Sequence, residues 1–456
     1  MPYPTHASVA ERTPSGLRQV RHELQHRLET LARLHRVPGA QLVLDTGSEV
    51  VALHTGVADV ATGAPFTADT AVPLGSLTKP YTAALVLLLA DDGDLDPDEP
   101  VARILPELRG LPEVTVRQLL SHTGGLPTGP DSDTAARTTA AHYLSSVCTA
   151  RDALFPPGTD FSYSNAGYVA AGRLVAEVTG MSWHEAVQAL LLEALGTVPA
   201  FLGAGAPPRQ VAAGHALNTA TGRVRPVRQN LAPLEAPAGA LLASAADLCA
   251  LGRALVGRSA VLPSAVAAEM RRPERAAGPN ALADGWGPGL ALYRQDDRQD
   301  DRLWCGHDGN AQGTSCHLRA DPASGVVVAF TGNAGAATAL WRDLAEDLAR
   351  TAGVRVPTAT AAGYRGEPVP LPECAGDYVN GSTQYRVALE RDGSPTLSVD
   401  GDVPIPLLCY PDLSCDLVDT DTGRRESGGR FHRDRATGVV DRVQISGRTA
   451  RRSCPA

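Results

Sequence analysis

The chain has 456 residues, with 50 acidic against 41 basic side chains and a formal net charge of −9. That balance argues against a nucleic-acid-binding surface over the whole molecule, and the length suggests two or three domains at roughly 150 residues each. The longest apolar run, Ala83 to Ala90, is eight residues, far short of the about 20 that a spanning helix needs.

The first residues carry no basic stretch followed by an apolar one, so no secretory signal is expected and the expected compartment is the cytoplasm. The eight cysteines lack CxxC spacing. They are expected to be buried small hydrophobes, without a disulfide framework or a structural zinc.

In chain order, residues 15–36 read as an amphipathic helix, with Leu17, Val20, Leu24, Leu28, Leu31 and Leu34 at helical spacing. Residues 41–45 and 50–56 read as a hairpin around Thr46-Gly47-Ser48. Residues 81–90 read as a buried helix, and 166–179 and 245–256 as two more. Residues 290–293, 315–319 and 326–331 read as strands. A linker is expected over 356–370, where Ala, Thr, Gly and Pro dominate. Beyond it, 371–456 shows short strand-like runs between Asp/Gly turns, which suggests a small all-β sandwich or barrel.

Lys79 is the one lysine of the sequence; the other 40 basic residues are arginines. Arginine replaces lysine at most surface sites but cannot give up its proton. A lysine kept in such a background suggests a group that must deprotonate. It lies in Gly75-Ser76-Leu77-Thr78-Lys79, at the start of the buried helix, and residues three apart share a helix face. Lys79 desolvated there could have a lowered pKa and activate the hydroxyl of Ser76. The bland alternative makes Ser76 a cap and Lys79 a surface group. Ser162-Tyr163-Ser164-Asn165 falls on a loop before a helix, where Tyr163 offers a proton relay and Asn165 donors and an acceptor. Alternatively, Asn165 caps the helix and Tyr163 packs. In Gly306-His307-Asp308-Gly309-Asn310, glycines would allow close backbone approach to a ligand. The alternative is a loop with a solvated His and Asp. His122 reads as structural.

Taken together, Ser76-x-x-Lys79, Tyr163-x-Asn165 and His307-x-Gly309, in this order, resemble the three active-site motifs of the serine β-lactamase and penicillin-binding-protein superfamily. The nearest branch is that of class C β-lactamases, D,D-peptidases and family VIII esterases. The resemblance runs over about residues 37–350. It implies an α+β fold: a catalytic domain over 1–355, with an antiparallel sheet flanked by helices plus a helical subdomain. Residues 371–456 resemble the lipocalin-like domain that follows it in several relatives. His307 stands where the β-lactamases carry the lysine of a Lys-Thr-Gly strand. Histidine there is more like esterases, D-aminopeptidases and peptide-processing members, which makes efficient β-lactam hydrolysis doubtful.

The resemblance assigns roles. Ser76 becomes acylated, and Lys79 and Tyr163 shuttle its proton. Asn165 orients Lys79 and the substrate amide, and His307 polarises or supports Tyr163 and is a candidate contact for a substrate carboxylate. The N–H groups of Ser76 and Asn310 form an oxyanion hole. Gly309 and Arg448 are candidate substrate contacts; the C-terminal domain reads either as a packing module or as a lid over the active site in which Arg448, Arg451 and Arg452 could hold a carboxylate. No metal or organic cofactor is implied. The subgroup that fits the outline is the penicillin-binding-protein-type thioesterases, which release and cyclise nonribosomal peptides from a carrier protein. The expected partners are thus a peptide or peptidyl thioester and a carrier, with no nucleic acid and no membrane. A cytoplasmic esterase or D-aminopeptidase is the alternative, and an acylated sensor that never turns over is a third.

Overall fold

The computed structural model describes residues 17–129, 135–218, 220–295, 302–358, 366–420 and 423–453. The first helix, α1 (Leu17–Leu34), keeps the expected place; residues 15–16 lie outside the described residues. Leu24, Leu28 and Leu31 on its inner stripe are buried, whereas Leu34 is exposed.

An eight-stranded antiparallel sheet organises the catalytic part. Its strands are β1 (Gly39–Asp45), β2 (Val50–Asp59), β3 (Ala64–Pro65), β4 (Gly285–Gly287), β5 (Leu290–Arg294), β6 (Leu303–Ala311), β7 (Thr314–Ala320) and β8 (Val327–Gly332). Their order is β3-β2-β1-β8-β7-β6-β5-β4, so β8 returns to pair with β1, Leu42 opposite Phe330. Every residue of β1, β7 and β8 is buried. These central strands are covered on both faces, so β1 and β8 read as near-continuous apolar runs. The α1 helix packs on one face with α5 (Ala337–Thr351), around Trp341, Phe330 and Leu344. The other face carries α2 (Thr78–Asp91), α3 (Asn165–Thr179) and α4 (Ala245–Leu255), in a larger apolar cluster. Seven cysteines fall among the described residues, all buried with free thiols.

Residues 376–452 close into an eight-stranded barrel. Its strands are β9 (Gly376–Asn380), β10 (Thr383–Leu389), β11 (Pro395–Val399), β12 (Ile405–Cys409), β13 (Ser414–Val418), β14 (Arg425–Arg433), β15 (Val440–Ile445) and β16 (Arg448–Arg452). Closure comes from β9 pairing with β16, Tyr378 opposite Arg452. It removes the exposed edges that an open sheet of this size would carry. Tyr378, Val387, Leu397, Phe431 and Val443 fill the interior.

The barrel leans on the segment leading to Tyr163. Thr449 donates its N–H to Ser162 Oγ (3.1 Å) and its hydroxyl to the Phe161 carbonyl (2.9 Å). Gln444 Nε2 donates to the same carbonyl (2.9 Å), and the Tyr163 N–H donates to the Gly447 carbonyl (2.9 Å). The turn between β15 and β16 thereby delivers Arg448 to the catalytic domain.

Candidate active site

Gly75, Ser76 and Leu77 form one 3-10 turn that runs directly into α2. The turn lets Ser76 and Lys79 share a face, and the apolar sequence of α2 takes Lys79 fully out of solvent. Lys79 Nζ lies 3.1 Å from Ser76 Oγ and donates to the Ala238 carbonyl at 3.0 Å. Its other neighbours are the faces of Tyr163 and Tyr168, 5.0 and 5.5 Å from the ring centroids. Burial drives its pKa well below the ordinary lysine value, and the Arg448 charge pushes the same way against an opposing pull from Glu235. No carboxylate lies within ion-pair distance of Nζ among the described residues. The group is therefore poised to lose its proton, which a surface lysine would not.

Tyr163 sits on the segment leading into α3, as the sequence suggests, but Asn165 is the first residue of the helix and the cap is Ser164 rather than Asn165. Its hydroxyl accepts from the Gly167 N–H at 3.0 Å, which frees the Asn165 side chain to face the cavity beside Ser76. The Oδ1 of Asn165 is buried and has no hydrogen-bond partner. An unpaired buried acceptor costs about 1–3 kcal/mol, so it is well suited to take an incoming N–H. Burial raises the Tyr163 pKa; the Ser76 hydrogen bond and the Arg448 charge only partly oppose this, so the side chain stays a neutral phenol. His122 supports the loop: its Nδ1 accepts from the Ser164 N–H (3.0 Å), and its ring packs 4.3 Å from that of Tyr163.

His307 lies within β6, so the loop with a solvated histidine is not what forms. The strand persists despite Gly306 and Gly309 because its neighbours β5 and β7 supply the ladder. His307 Nδ1 lies 2.6 Å from the Asp308 carbonyl, and Nε2 lies 3.5 Å from the Tyr163 hydroxyl. A carbonyl only accepts, so Nδ1 carries the hydrogen and Nε2 presents its lone pair to the phenol. Burial lowers the His307 pKa to about 3, with Lys79 adding to the effect, and the ring is neutral at physiological pH. Burial resists ionisation of Asp308, but Arg319 and His317 outweigh it and hold the carboxyl far below its ordinary range. His317 Nδ1 lies 2.7 Å from Asp308, and Arg319 contacts both its oxygens at 2.7 and 3.1 Å.

Two glycines bring the serine turn onto β6. Gly75 has φ +53°, and a Cβ there would lie 2.2 Å from the Asn310 carbonyl oxygen; one on Gly309 would lie 2.1 Å from that of Leu74. The two backbones meet with nothing between them. Gly75, Ser76, Asn165 and Asn310 line one cavity of about 460 Å³, with Glu235 and Leu231 on its far wall.

Of the barrel arginines, only Arg448 reaches this centre, its guanidinium 5.3 Å from the Tyr163 ring centroid, with no carboxylate partner among the described residues. Arg451 and Arg452 point elsewhere and donate to backbone carbonyls, including those of Ala153 and Val440. The expectation that they hold a substrate carboxylate therefore fails. Sequence reasoning missed Glu235 and the Asp308–His317–Arg319 cluster. For the latter a signal existed, since Ser315, His317 and Arg319 alternate with Cys316, Leu318 and Ala320 and so share a face.

A family model described as Beta-lactamase matches residues 24–352. Penicillin-binding protein 4 of Amycolatopsis lactamdurans is 35% identical over 378 residues, covering 78% of this chain and 96% of that protein. Esterase EstB of Burkholderia gladioli is 30% identical over 318 residues, covering 58% and 77%. The crystal structure of SurE superposes with a TM-score of 0.83 at 35% identity, covering 95% of this chain and 99% of that one. A second, of SurE with D-Leu, gives 0.80 at 34%.

Proposed function

The chain belongs to the β-lactamase family of serine acyl-transfer enzymes, and from that premise we propose that it releases and cyclises a peptide held as a thioester on a carrier protein. The observation that carries the reading is a desolvated Lys79 beside Ser76, facing a phenol held by a neutral histidine.

In this reading neutral Lys79 takes the Ser76 proton as Oγ attacks the thioester carbonyl. The N–H groups of Ser76 and Asn310 receive the oxyanion. The C–S bond then breaks, and the proton returns through Tyr163 to the thiolate, leaving an acyl-Ser76 ester and a free thiol. The peptide's own amine next attacks the ester. Its proton passes back through Tyr163 and Lys79 to Ser76 Oγ, and a lactam leaves. His307, as a neutral acceptor, orients the phenol without adding charge. Asn165 Oδ1 takes a substrate N–H, Gly309 lets the serine turn seat on β6 rather than touching the peptide, and unpaired Arg448 holds a carboxylate or carbonyl end.

A peptide substrate is supported by the penicillin-binding-protein relative. A D-configured residue is supported by the relative whose crystal structure contains D-Leu, a likeness that extends over the barrel. The test is intact-protein mass after mixing with a peptidyl-N-acetylcysteamine thioester ending in a D-residue, with Ser76→Ala as control. An adduct on the wild type alone, with a product lighter by one water than the linear acid, is the expected result. No adduct, with simple esters or D-amides turned over well, would overturn the reading.

The second reading is plain hydrolysis, favoured by the esterase relative. It predicts an adduct that yields only linear acid, together with broad turnover of p-nitrophenyl esters.

A further inference from the structure

The barrel carries an uneven charge. Residues 424–453 hold nine arginines against Glu426, Asp434 and Asp441, in a chain whose total is −9. His432, Arg442 and Arg451 stand directly opposite one another on β14, β15 and β16 and therefore share one face. That face borders a groove of about 1080 Å³ between the barrel and residues 154–160. Its floor is apolar, from Leu154, Phe155 and Val440, and Arg433 and Arg435 stand exposed on its rim.

Part of this charge is cancelled, by Arg442 on Asp160 (2.7 Å) and Asp441 (3.3 Å) and by Arg433 on Glu373 (2.9 Å), and Asp434 lines the same groove, which leaves its five arginines in excess over its three aspartates. Arg451 and Arg452 bond only backbone carbonyls, which leaves their charge standing. Arg435 has no ion pair among the described residues. Asp160 lines this groove and lies three residues before Tyr163, a span of at most about 11 Å of chain.

We propose that this groove docks the acidic protein domain that carries the thioester, with its anionic surface on the arginine rim. The proposal rests on the acyl-transfer reading above. An apolar floor with a mainly basic rim suits a helix of an acidic domain, and Asp160 on the groove's wall stands three residues from Tyr163. Fields of this kind act mainly on encounter rate and fade with salt.

The test compares one peptide presented two ways, loaded on a stand-alone acidic peptidyl carrier protein and as the N-acetylcysteamine thioester, with formation of acyl-Ser76 followed by mass. For the double variant Arg433→Glu/Arg435→Glu, kcat/KM from the carrier is expected to fall about tenfold while that from the small thioester stays unchanged. Raising the salt should weaken only the carrier reaction in the wild type. Equal loss on both substrates, loss on neither, or a change in oligomeric state that explains the loss would overturn the docking proposal. So would a wild type that uses the small thioester and ignores the carrier, which leaves the acyl-transfer reading intact. If neither thioester acylates Ser76, that reading falls and the docking proposal falls with it.

Discussion

His307 meets Tyr163 through a nitrogen that has no proton to give. Its Nδ1 hydrogen is committed to the Asp308 carbonyl at 2.6 Å, so Nε2, 3.5 Å from the phenol, acts as an acceptor. A lysine in this place would lay a positive charge beside Tyr163 and draw it toward phenolate. The neutral ring does not, and burial raises the phenol further. The proton vacancy needed to activate Ser76 then falls to Lys79.

That assignment has a pH signature. The amine must be neutral to accept a proton, so kcat/KM rises with pH through the lowered Lys79 pKa. Arg448 repels the charged amine and Glu235 attracts it. Arg448→Met should therefore move the acid limb to higher pH and Glu235→Gln to lower pH. A pH–rate series with a small thioester measures both, and shifts of the same sign would contradict the assignment.

The role of His307 separates acceptor from cation. His307→Gln keeps a side-chain acceptor and should retain more acylation than His307→Ala, which is expected to lose about 10²-fold or more. His307→Lys should shift the basic limb of the profile to lower pH, because the new charge lowers the phenol pKa. Single-turnover acylation followed from pH 5 to 10 gives both results.

Burial also writes itself into stability. His122, His307 and His317 all have folded pKa values below the ordinary histidine value, chiefly through burial. The unfolded chain takes up their protons below about pH 6.5 while the folded chain does not. Stability should thus be fully present above that pH and fall as pH drops toward the folded values, by up to about 1.4 kcal/mol per unit for each residue. Urea unfolding at pH 7.5 and 5.5 should show a lower midpoint at 5.5, and His122→Asn should flatten the dependence.

Much of this was legible in the sequence for a physical reason. Ser76 and Lys79 are three residues apart on an apolar helix, so local geometry alone brings them together. The barrel was legible as a class because short strands between Asp/Gly turns have few other uses. Arg448 and Arg451 were not separable, since which of them enters the site depends on how the β15–β16 turn seats against Phe161, a contact 287 residues distant in sequence at Thr449–Ser162. His307 was ambiguous because glycines on both sides weaken the strand signal, although one of them, Gly309, is what allows the serine turn to approach β6.

The close approach makes Gly75 and Gly309 sensitive positions. Gly75→Ala adds a Cβ 2.2 Å from the Asn310 carbonyl oxygen at a positive φ, and Gly309→Ala one 2.1 Å from that of Leu74. Neither backbone can give way without parting the serine turn from β6. Each variant should lose about 10²-fold or more in acylation, the scale of a removed oxyanion donor, while circular dichroism shows the fold retained. Near-normal acylation would mean that Asn310 does not supply the second donor.

The seam between barrel and catalytic domain bears on chemistry through the Phe161–Tyr163 backbone. Thr449→Val conserves shape and removes one donor from the Phe161 carbonyl, which keeps its bond from Gln444. The cost to stability should be about 1 kcal/mol, yet Tyr163 hangs on the same strand of backbone, so acylation should slow severalfold. Removing residues 371–456 takes away the four bonds to residues 161–163, the other bonds of the seam and Arg448 together, and should slow acylation by every substrate far more. If the shortened protein keeps its circular dichroism and acylates a small thioester at the full rate, the barrel is a packing module and Arg448 holds nothing.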